Sequence, residues 1–141
     1  MIINTKRISS HNITELKPNE VFVFGSNEAG FHGAGAARQA MRWGAEYGQG
    51  VGMYGQTYAL PTKSKRVMTL NLQKIGGYVK DFINFAKKHH GLKFLVTEVG
   101  CGLAGYTAYD IAPLFKEAVG VDNIFLPRSF WDILDKIAER S

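Results

Sequence analysis

Short apolar runs that end at glycine or proline predict the strands of this chain. Residues 21–24, with the sequence VFVF, form a continuous apolar run that stops at Gly25. Such a run is typical of a strand buried on both faces, as in a parallel sheet. Further strands are predicted at residues 94–99 and 123–126, and a short one at residues 56–60, ended by Pro61.

Apolar residues at helical spacing predict the longest helix, over residues 70–90. Its inward-facing positions are Ile75, Val79, Phe82, Ile83 and Ala86. Gly76 and Gly77 each weaken the first half by about 1 kcal/mol, so a start nearer Tyr78 is the alternative. Gly91 is expected to cap the C-terminal end.

Three shorter helices are predicted from the same periodicity. They cover residues 36–47, residues 108–119 with Pro113 tolerated only in the first turn, and residues 129–140 with Ser129 as N-cap. Residues 48–55, rich in glycine, are expected to form a flexible connection.

The alternation of strands and helices predicts an α/β fold. We expect one domain, residues 1–141, built as a three-layer α/β/α sandwich around a central mixed, mostly parallel sheet. In open sheets of this kind, ligands bind beyond the carboxyl ends of the strands.

Two glycine-rich segments follow predicted strands and so lie where a ligand would bind. The first glycine segment, residues 24–37, is FGSNEAGFHGAGAA, and the second, residues 99–106, is VGCGLAGY. Glycine has no Cβ to keep a ligand away, and consecutive backbone N–H groups can surround an anion. The spacing matches neither the dinucleotide-binding fingerprint nor the P-loop. We therefore predict an anion site, with tight packing turns as the alternative.

Composition narrows the class of protein and of partner. The chain has 45% hydrophobic and 21% charged residues, which are ordinary globular values. A net charge of +5 favours an anionic partner, or serves solubility alone. The single cysteine excludes an internal disulfide, and no apolar run is long enough to span a bilayer. With no signal-peptide pattern at the N-terminus, a cytoplasmic protein is expected.

The order of several motifs resembles a known family. The sequence NIT at residues 12–14, then a buried strand, then Asn27 and the glycines at residues 33–35, resembles the opening of a macro domain, an ADP-ribose-binding fold. The GCGL of the second glycine segment, ALPTK at residues 59–63 and NLQK at residues 71–74 are most similar to the branch that contains the terminal ADP-ribose protein glycohydrolase. The resemblance extends from residue 12 to the last predicted strand.

This resemblance implies a site for ADP-ribose or a related nucleotide. Asn12 stands where the family has an aspartate that accepts a hydrogen bond from adenine, and Asn27 would contact the distal ribose unless it forms a local turn. Tyr106 would cover that ribose or be an exposed loop aromatic. Backbone of both glycine segments would hold the diphosphate. The implied ligand-binding residues are Asn12, Asn27, Gly33, Ala34, Gly35, Ala36, Gly100, Cys101, Gly102, Leu103, Ala104, Gly105 and Tyr106.

The resemblance leaves catalysis open. Lys63 matches the lysine that attacks the anomeric carbon in the glycohydrolase branch, with a surface lysine as the alternative. The partner aspartate of that branch falls at Ala104 in this chain. The residues that can substitute for it are Glu98, Asp110 and His32, the last expected to be a solvated loop histidine. ADP-ribosyl hydrolysis and non-catalytic reading of a nucleotide signal therefore both remain, with an ADP-ribosylated macromolecule as a further partner.

Other chemistries fit the sequence less well. Cys101 has no evident base beside it, and the histidines lack metal-ligand spacing, so neither a thiol nucleophile, a zinc site nor a cofactor is predicted. Nucleic-acid binding through the basic surface ranks last, because no basic face carries interleaved aromatic residues. The sequence does not predict an oligomeric state.

Overall fold

The computed structural model describes residues 7–140, and its strands form one mixed sheet. The strands are β1 (Ile8–Ser9), β2 (Glu20–Asn27), β3 (Gly52–Tyr54), β4 (Thr57–Lys63), β5 (Lys93–Val96) and β6 (Ile124–Pro127). Their order across the sheet is β1-β6-β5-β2-β4-β3. Adjacent strands are parallel except β3 and β4, which are antiparallel. The predicted mostly parallel α/β sheet is confirmed.

Four α-helices connect or follow these strands within residues 7–140. They are α1 (Gly35–Ala40), α2 (Leu72–Lys87), α3 (Ala108–Ile111) and α4 (Arg128–Arg140). Two 3₁₀ segments extend α1 and α3, at Met41–Trp43 and Ala112–Gly120. No helix in this part of the chain combines the length and the apolar character needed to cross a membrane.

Strand β2 shows why the molecule has three layers. Successive side chains of a strand point to opposite faces, so Val21 and Val23 enter the core beneath α2 and α4, while Phe22 and Phe24 enter a smaller core. That smaller core also contains Ala37 of α1. All four β2 side chains are at most 2% exposed, as expected for a central strand covered on both faces.

Helix α2 confirms the predicted apolar face, but its ends differ from the prediction. Its buried residues are Ile75, Val79, Phe82, Ile83 and Ala86. The helix begins at Leu72, because the Asn71 side chain accepts a hydrogen bond of 2.8 Å from the Lys74 amide and caps the first turn. Gly91 is not the C-cap; the Asn123 side chain instead donates to the carbonyls of Ala86, His89 and Leu92.

Two predictions in residues 36–60 are wrong. The helix predicted over residues 36–47 ends early, since Gly44 takes a left-handed conformation with φ of 110°. The predicted connection at residues 48–55 contains β3, which pairs with β4.

Strand β4 continues through Pro61, so the prediction that this proline ends the strand is wrong. Pro61 lies inside it and pairs with Ser26 of β2. A proline is tolerated there because β3 pairs only as far as Ala59, so β4 has a free edge where the missing N–H would have pointed.

The two C-terminal helices also differ from their predicted bounds. Helix α3 is four residues long and gives way to a 3₁₀ segment at Ala112, because Pro113 has no N–H with which to continue the α-helix. Helix α4 begins at Arg128, so Ser129 is not its N-cap. The Ser129 hydroxyl donates instead to Glu98 Oε2 over 2.6 Å.

Candidate functional site

A cleft of about 610 Å³ lies at the carboxyl ends of β2, β4 and β5, between the two glycine segments. Its size falls within the range of small-molecule sites. Its walls come from His11 and from three stretches of chain that are far apart in sequence, residues 25–37, 62–67 and 97–104. The lining residues are His11, Gly25, Ser26, Asn27, Phe31, Gly33, Ala34, Gly35, Ala36, Ala37, Thr62, Lys63, Val67, Thr97, Glu98, Val99, Gly100, Gly102, Leu103 and Ala104.

Asn27 shapes the first glycine segment. Its side-chain amide donates to the Phe31 carbonyl over 3.0 Å and accepts from the Phe31 amide over 2.9 Å. The side chain is buried and fixes the turn that leads from β2 towards Gly33. Asn27 therefore lines the cleft, and its contacts are those of the local-turn alternative.

Gly33 and Gly102 both line the cleft, and neither has to be glycine for conformation or packing. Neither has a positive φ, and a Cβ built on either would meet no atom within 4 Å. Within residues 7–140, their amides, and those of Ala34, Leu103 and Ala104, donate to no protein acceptor. Both glycine segments thus line the cleft with residues whose backbone N–H groups are unpaired.

A β-bulge brings Lys63 into the cleft. The register between β2 and β4 shifts after Ser26, so that Asn27 pairs with Lys63 and Thr62 is the extra residue. A bulge bends its strand and redirects the side chains next to it. The main chain is fixed there, since the Glu28 amide donates to the Lys63 carbonyl over 2.9 Å.

The second glycine segment enters the cleft only in part. Gly100 has φ of 77° and lies against Ile111, where a Cβ would come within 2.8 Å of the Ile111 side chain. Gly102, Leu103 and Ala104 line the cleft with it. The other predicted residues of this segment, Cys101, Gly105 and Tyr106, are not among the lining residues.

Tyr106 and Cys101 have structural contacts instead. The Tyr106 hydroxyl donates to the Leu70 carbonyl over 2.7 Å, and the half-buried ring packs against the main core, so it is not an exposed loop aromatic. Burial raises the pKa of the Cys101 thiol to about 11, helped by the charges of Glu98 and Asp110. A thiol with so high a pKa is a poor nucleophile.

Of the three candidate acid–base residues, Glu98 is the one that lies in the cleft. It shares the cleft with Lys63 and His11, and these are its ionisable lining residues. Asp110 instead accepts from the amide and hydroxyl of Thr107 and closes a capping box on α3.

His32 is not the solvated side chain that was predicted. It is 3% exposed, its Nε2 lies 3.0 Å from the Gln49 carbonyl oxygen, and its ring packs edge-on against Phe24. The aromatic core beneath the first glycine segment provides this burial, which a glycine-rich sequence gives no reason to expect.

A second cavity of about 520 Å³ adjoins the cleft and shares His11, Thr97 and Glu98 with it. Ser129 and Asp132 of α4 form part of its wall. Asn12, the predicted adenine contact, lines neither of them. It is exposed and lines a smaller concavity formed by the loop that joins β1 to β2.

Sequence reasoning missed several residues of the cleft. Val67 and Thr62 carry no sequence signal for a site, since the positive φ of Val67, 61°, and the bulge at Thr62 appear only in the folded chain. Phe31 did carry a sequence signal, because turn segments are rich in small and polar residues and an aromatic residue among them is unusual.

Comparisons of the chain with models of protein families, with characterised proteins and with solved structures find no match. The macro-domain resemblance therefore stays a prediction, and the geometry of the cleft is the basis on which a function can be inferred.

Proposed function

We propose that this protein binds ADP-ribose or a closely related nucleoside diphosphate, with the diphosphate between the two glycine segments. The observation that carries this proposal is the pair Gly33 and Gly102. Neither needs to be glycine for backbone conformation or packing, yet both line the cleft. A ligand that approaches the main chain closely is a physical reason for omitting a Cβ at both places.

The chemistry of the cleft fits phosphate oxygens. Unpaired backbone N–H groups on both sides are neutral donors at short range, and Lys63 adds a cation. Helix α1 is only six residues long, so its macrodipole contributes little to the attraction of an anion. The donors that matter are the amides themselves.

The shape fits an elongated ligand. The cleft and the second cavity meet at His11, Thr97 and Glu98, so a molecule held by its centre can extend at both ends. A nucleoside diphosphate linked to a second sugar has this form. The exposed carboxylate of Glu98, 43% accessible, can accept hydrogen bonds from sugar hydroxyls at the junction.

Calorimetry with ADP-ribose, AMP and NAD tests the proposal. We expect micromolar binding of ADP-ribose by the native protein, and at least a tenfold loss, about 1.4 kcal/mol, in Gly33→Ala and in Gly102→Ala. Gly91→Ala is the matched control, because Gly91 also has an ordinary φ and open space but lies outside the cleft. If none of the three nucleotides binds below millimolar concentration, the proposal is wrong.

Hydrolysis of an ADP-ribosyl bond is the second candidate, favoured by the presence of Lys63 and Glu98 in one cleft. In this scheme the neutral Lys63 amine attacks the anomeric carbon and the bond to the carrier breaks. Glu98 replaces the carboxylate that is missing at Ala104, takes the proton that the amine loses and passes it to the departing carrier. Water then adds to the anomeric carbon, its hydroxyl stays on the released ADP-ribose, and its proton returns to the lysine nitrogen.

Release of ADP-ribose from an ADP-ribosylated substrate separates an enzyme from a reader. An enzyme should lose turnover in Lys63→Ala and in Glu98→Gln while retaining ADP-ribose affinity within about tenfold. Binding without release in the native protein would identify a reader. Release that persists in both variants would contradict the assigned roles.

A further inference from the structure

Three exposed apolar side chains lie together at one edge of the cleft. Leu103 is 84% exposed, Met68 67% and Val67 43%, and the first and last of these line the cleft. The Thr69 hydroxyl donates to the Ala104 carbonyl over 2.9 Å and so joins the two loops. With the neighbouring Lys65 and Arg66, these residues are here called the rim patch. Grouped exposed apolar residues of this kind commonly mark an interaction surface.

The loop that presents the rim patch is rigid and strained. Val67 has φ of 61°, a left-handed conformation that is unfavourable for a β-branched residue. Ser64 holds the loop: its amide donates to the Met68 carbonyl over 2.7 Å, and its hydroxyl accepts from the Met68 amide over 3.2 Å. A loop fixed in advance loses little entropy on binding, and strain of this type clusters at functional sites.

The charges of the rim patch indicate what kind of partner it fits. Lys65 and Arg66 are exposed, and neither forms an ion pair with any residue in the described part of the chain. The combination of aliphatic side chains and two free cations complements a polypeptide segment that carries an apolar side chain next to carboxylates.

Two other partners fit the rim patch less well. Single-stranded nucleic acid needs aromatic rings on which bases stack, and Val67, Met68 and Leu103 have none. A second copy of this chain, docked about a two-fold axis through the patch, would bring Lys65 and Arg66 against the same cations.

We infer that the rim patch docks the polypeptide that carries the nucleotide. The ADP-ribosyl group would occupy the cleft while an acidic and apolar segment of its carrier lies on Met68, Lys65 and Arg66. This inference rests on the proposed function, since the cleft must hold the nucleotide that the carrier presents.

Fluorescence anisotropy with three probes tests the inference. The first probe is free ADP-ribose, used in competition. The second is an ADP-ribosyl peptide with a leucine beside glutamates. The third is an ADP-ribosyl peptide of equal length in which serine replaces the leucine and lysines replace the glutamates. We expect the acidic, apolar peptide to bind at least tenfold more tightly than either other probe, with the difference shrinking at high salt.

Substitution of rim-patch residues that do not line the cleft tests whether the patch causes this gain in affinity. Lys65→Ser and Met68→Ser together should abolish the tenfold difference and leave free ADP-ribose affinity within twofold. Met41→Ser is the matched control, because Met41 is also an exposed methionine, at 40%, but lies on the 3₁₀ segment after α1.

The outcomes separate the two proposals. Equal affinity for all three probes would overturn the docking inference and leave the proposed function standing. Tighter binding of an ADP-ribosylated oligonucleotide than of the acidic peptide would overturn it in favour of nucleic acid. Failure of free ADP-ribose to bind at all would overturn the proposed function, and the docking inference with it.

Discussion

Cys101 shows how single residues of the second glycine segment take structural roles. Its sulfur lies 3.5 Å from the Val99 carbonyl oxygen, and burial together with Glu98 and Asp110 raises its pKa to about 11. Burial and nearby negative charge thus make the Cys101 thiol, next to the cleft, less reactive. The expectation of a small, unreactive residue agrees with this environment.

Alkylation of Cys101 by iodoacetamide should be slow. At pH 8 the thiolate fraction of a group with a pKa of about 11 is on the order of a hundredfold below that of an ordinary thiol. We expect labelling, followed by mass spectrometry, to be at least tenfold slower than for glutathione. Unfolding in urea should remove the difference, and rapid labelling of the folded protein would contradict it.

Val67 offers a second prediction at this scale. A left-handed conformation costs an ordinary L-residue about 1–2 kcal/mol, whereas asparagine adopts it more easily. Val67→Asn should therefore raise the free energy of unfolding by about 0.5–1 kcal/mol, measured by urea denaturation. Val51→Asn, at an exposed valine without a positive φ, is the control and should not stabilise the protein.

At the scale of elements, α2 shows that capping can outweigh two glycines. The Asn71 cap and the buried apolar face start the helix at Leu72, although Gly76 and Gly77 lie within it. The two glycines differ in surroundings. A Cβ on Gly76 would lie 3.4 Å from the Leu114 side chain, while one on Gly77 would meet no atom within 4 Å.

Alanine substitutions should distinguish these two glycines. Gly77→Ala gains helix propensity without new contacts and should stabilise the protein by about 1 kcal/mol. Gly76→Ala should gain somewhat more, because its methyl group adds an ordinary van der Waals contact with Leu114 of the Ala112–Gly120 segment. Thermal unfolding of both variants gives the comparison, and equal gains would show that the Leu114 contact is unimportant.

At the scale of the whole molecule, buried polar groups tie the layers together. Arg7 is 8% exposed and donates to the carbonyls of Val121 and Ile124 over 2.7 and 2.8 Å. Its guanidinium also lies 5.1 Å from the centre of the Trp131 ring, and burial lowers its pKa. The Arg7 side chain, just before β1, therefore contacts β6 at Ile124 and α4 at Trp131.

Two tyrosines make the stability of the molecule depend on alkaline pH. Burial, with the charge of Asp81, raises the pKa of Tyr58 to about 12, and burial with the Glu28 hydrogen bond does the same for Tyr78. A folded pKa above the unfolded value of about 10 means that this stability is complete below pH 10 and is lost as pH rises towards 12.

Denaturation at a series of pH values tests this coupling. The free energy of unfolding should fall between pH 10 and 12, by on the order of 1 kcal/mol for each of the two tyrosines. Tyr78→Phe should reduce the fall, whereas Tyr47→Phe, at a 64% exposed tyrosine, should leave it unchanged. Tyrosinate absorbance provides an independent check, since two of the six tyrosines should ionise late.

Local sequence determined the elements of this protein. Residues close together in the sequence are enough to specify the apolar run of β2, the helical periodicity of α2 and the two glycine segments at strand ends. Side-chain spacing and backbone freedom act directly over such short separations. The same locality explains the errors. Three features depend on partners that are distant in the chain: the early end of the first helical segment before Gly44, the continuation of β4 through Pro61, and the start of α4.

Only the tertiary structure decided which chemistry meets in the cleft. The order β5-β2-β4 brings Glu98 and Lys63 to one edge of the sheet, and the bulge at Thr62 fixes Lys63 opposite Asn27. The tertiary structure also buries His32 and brings the Ser129 hydroxyl to Glu98. These contacts depend on strand order and register, because residues separated by tens of positions meet only when topology brings them together.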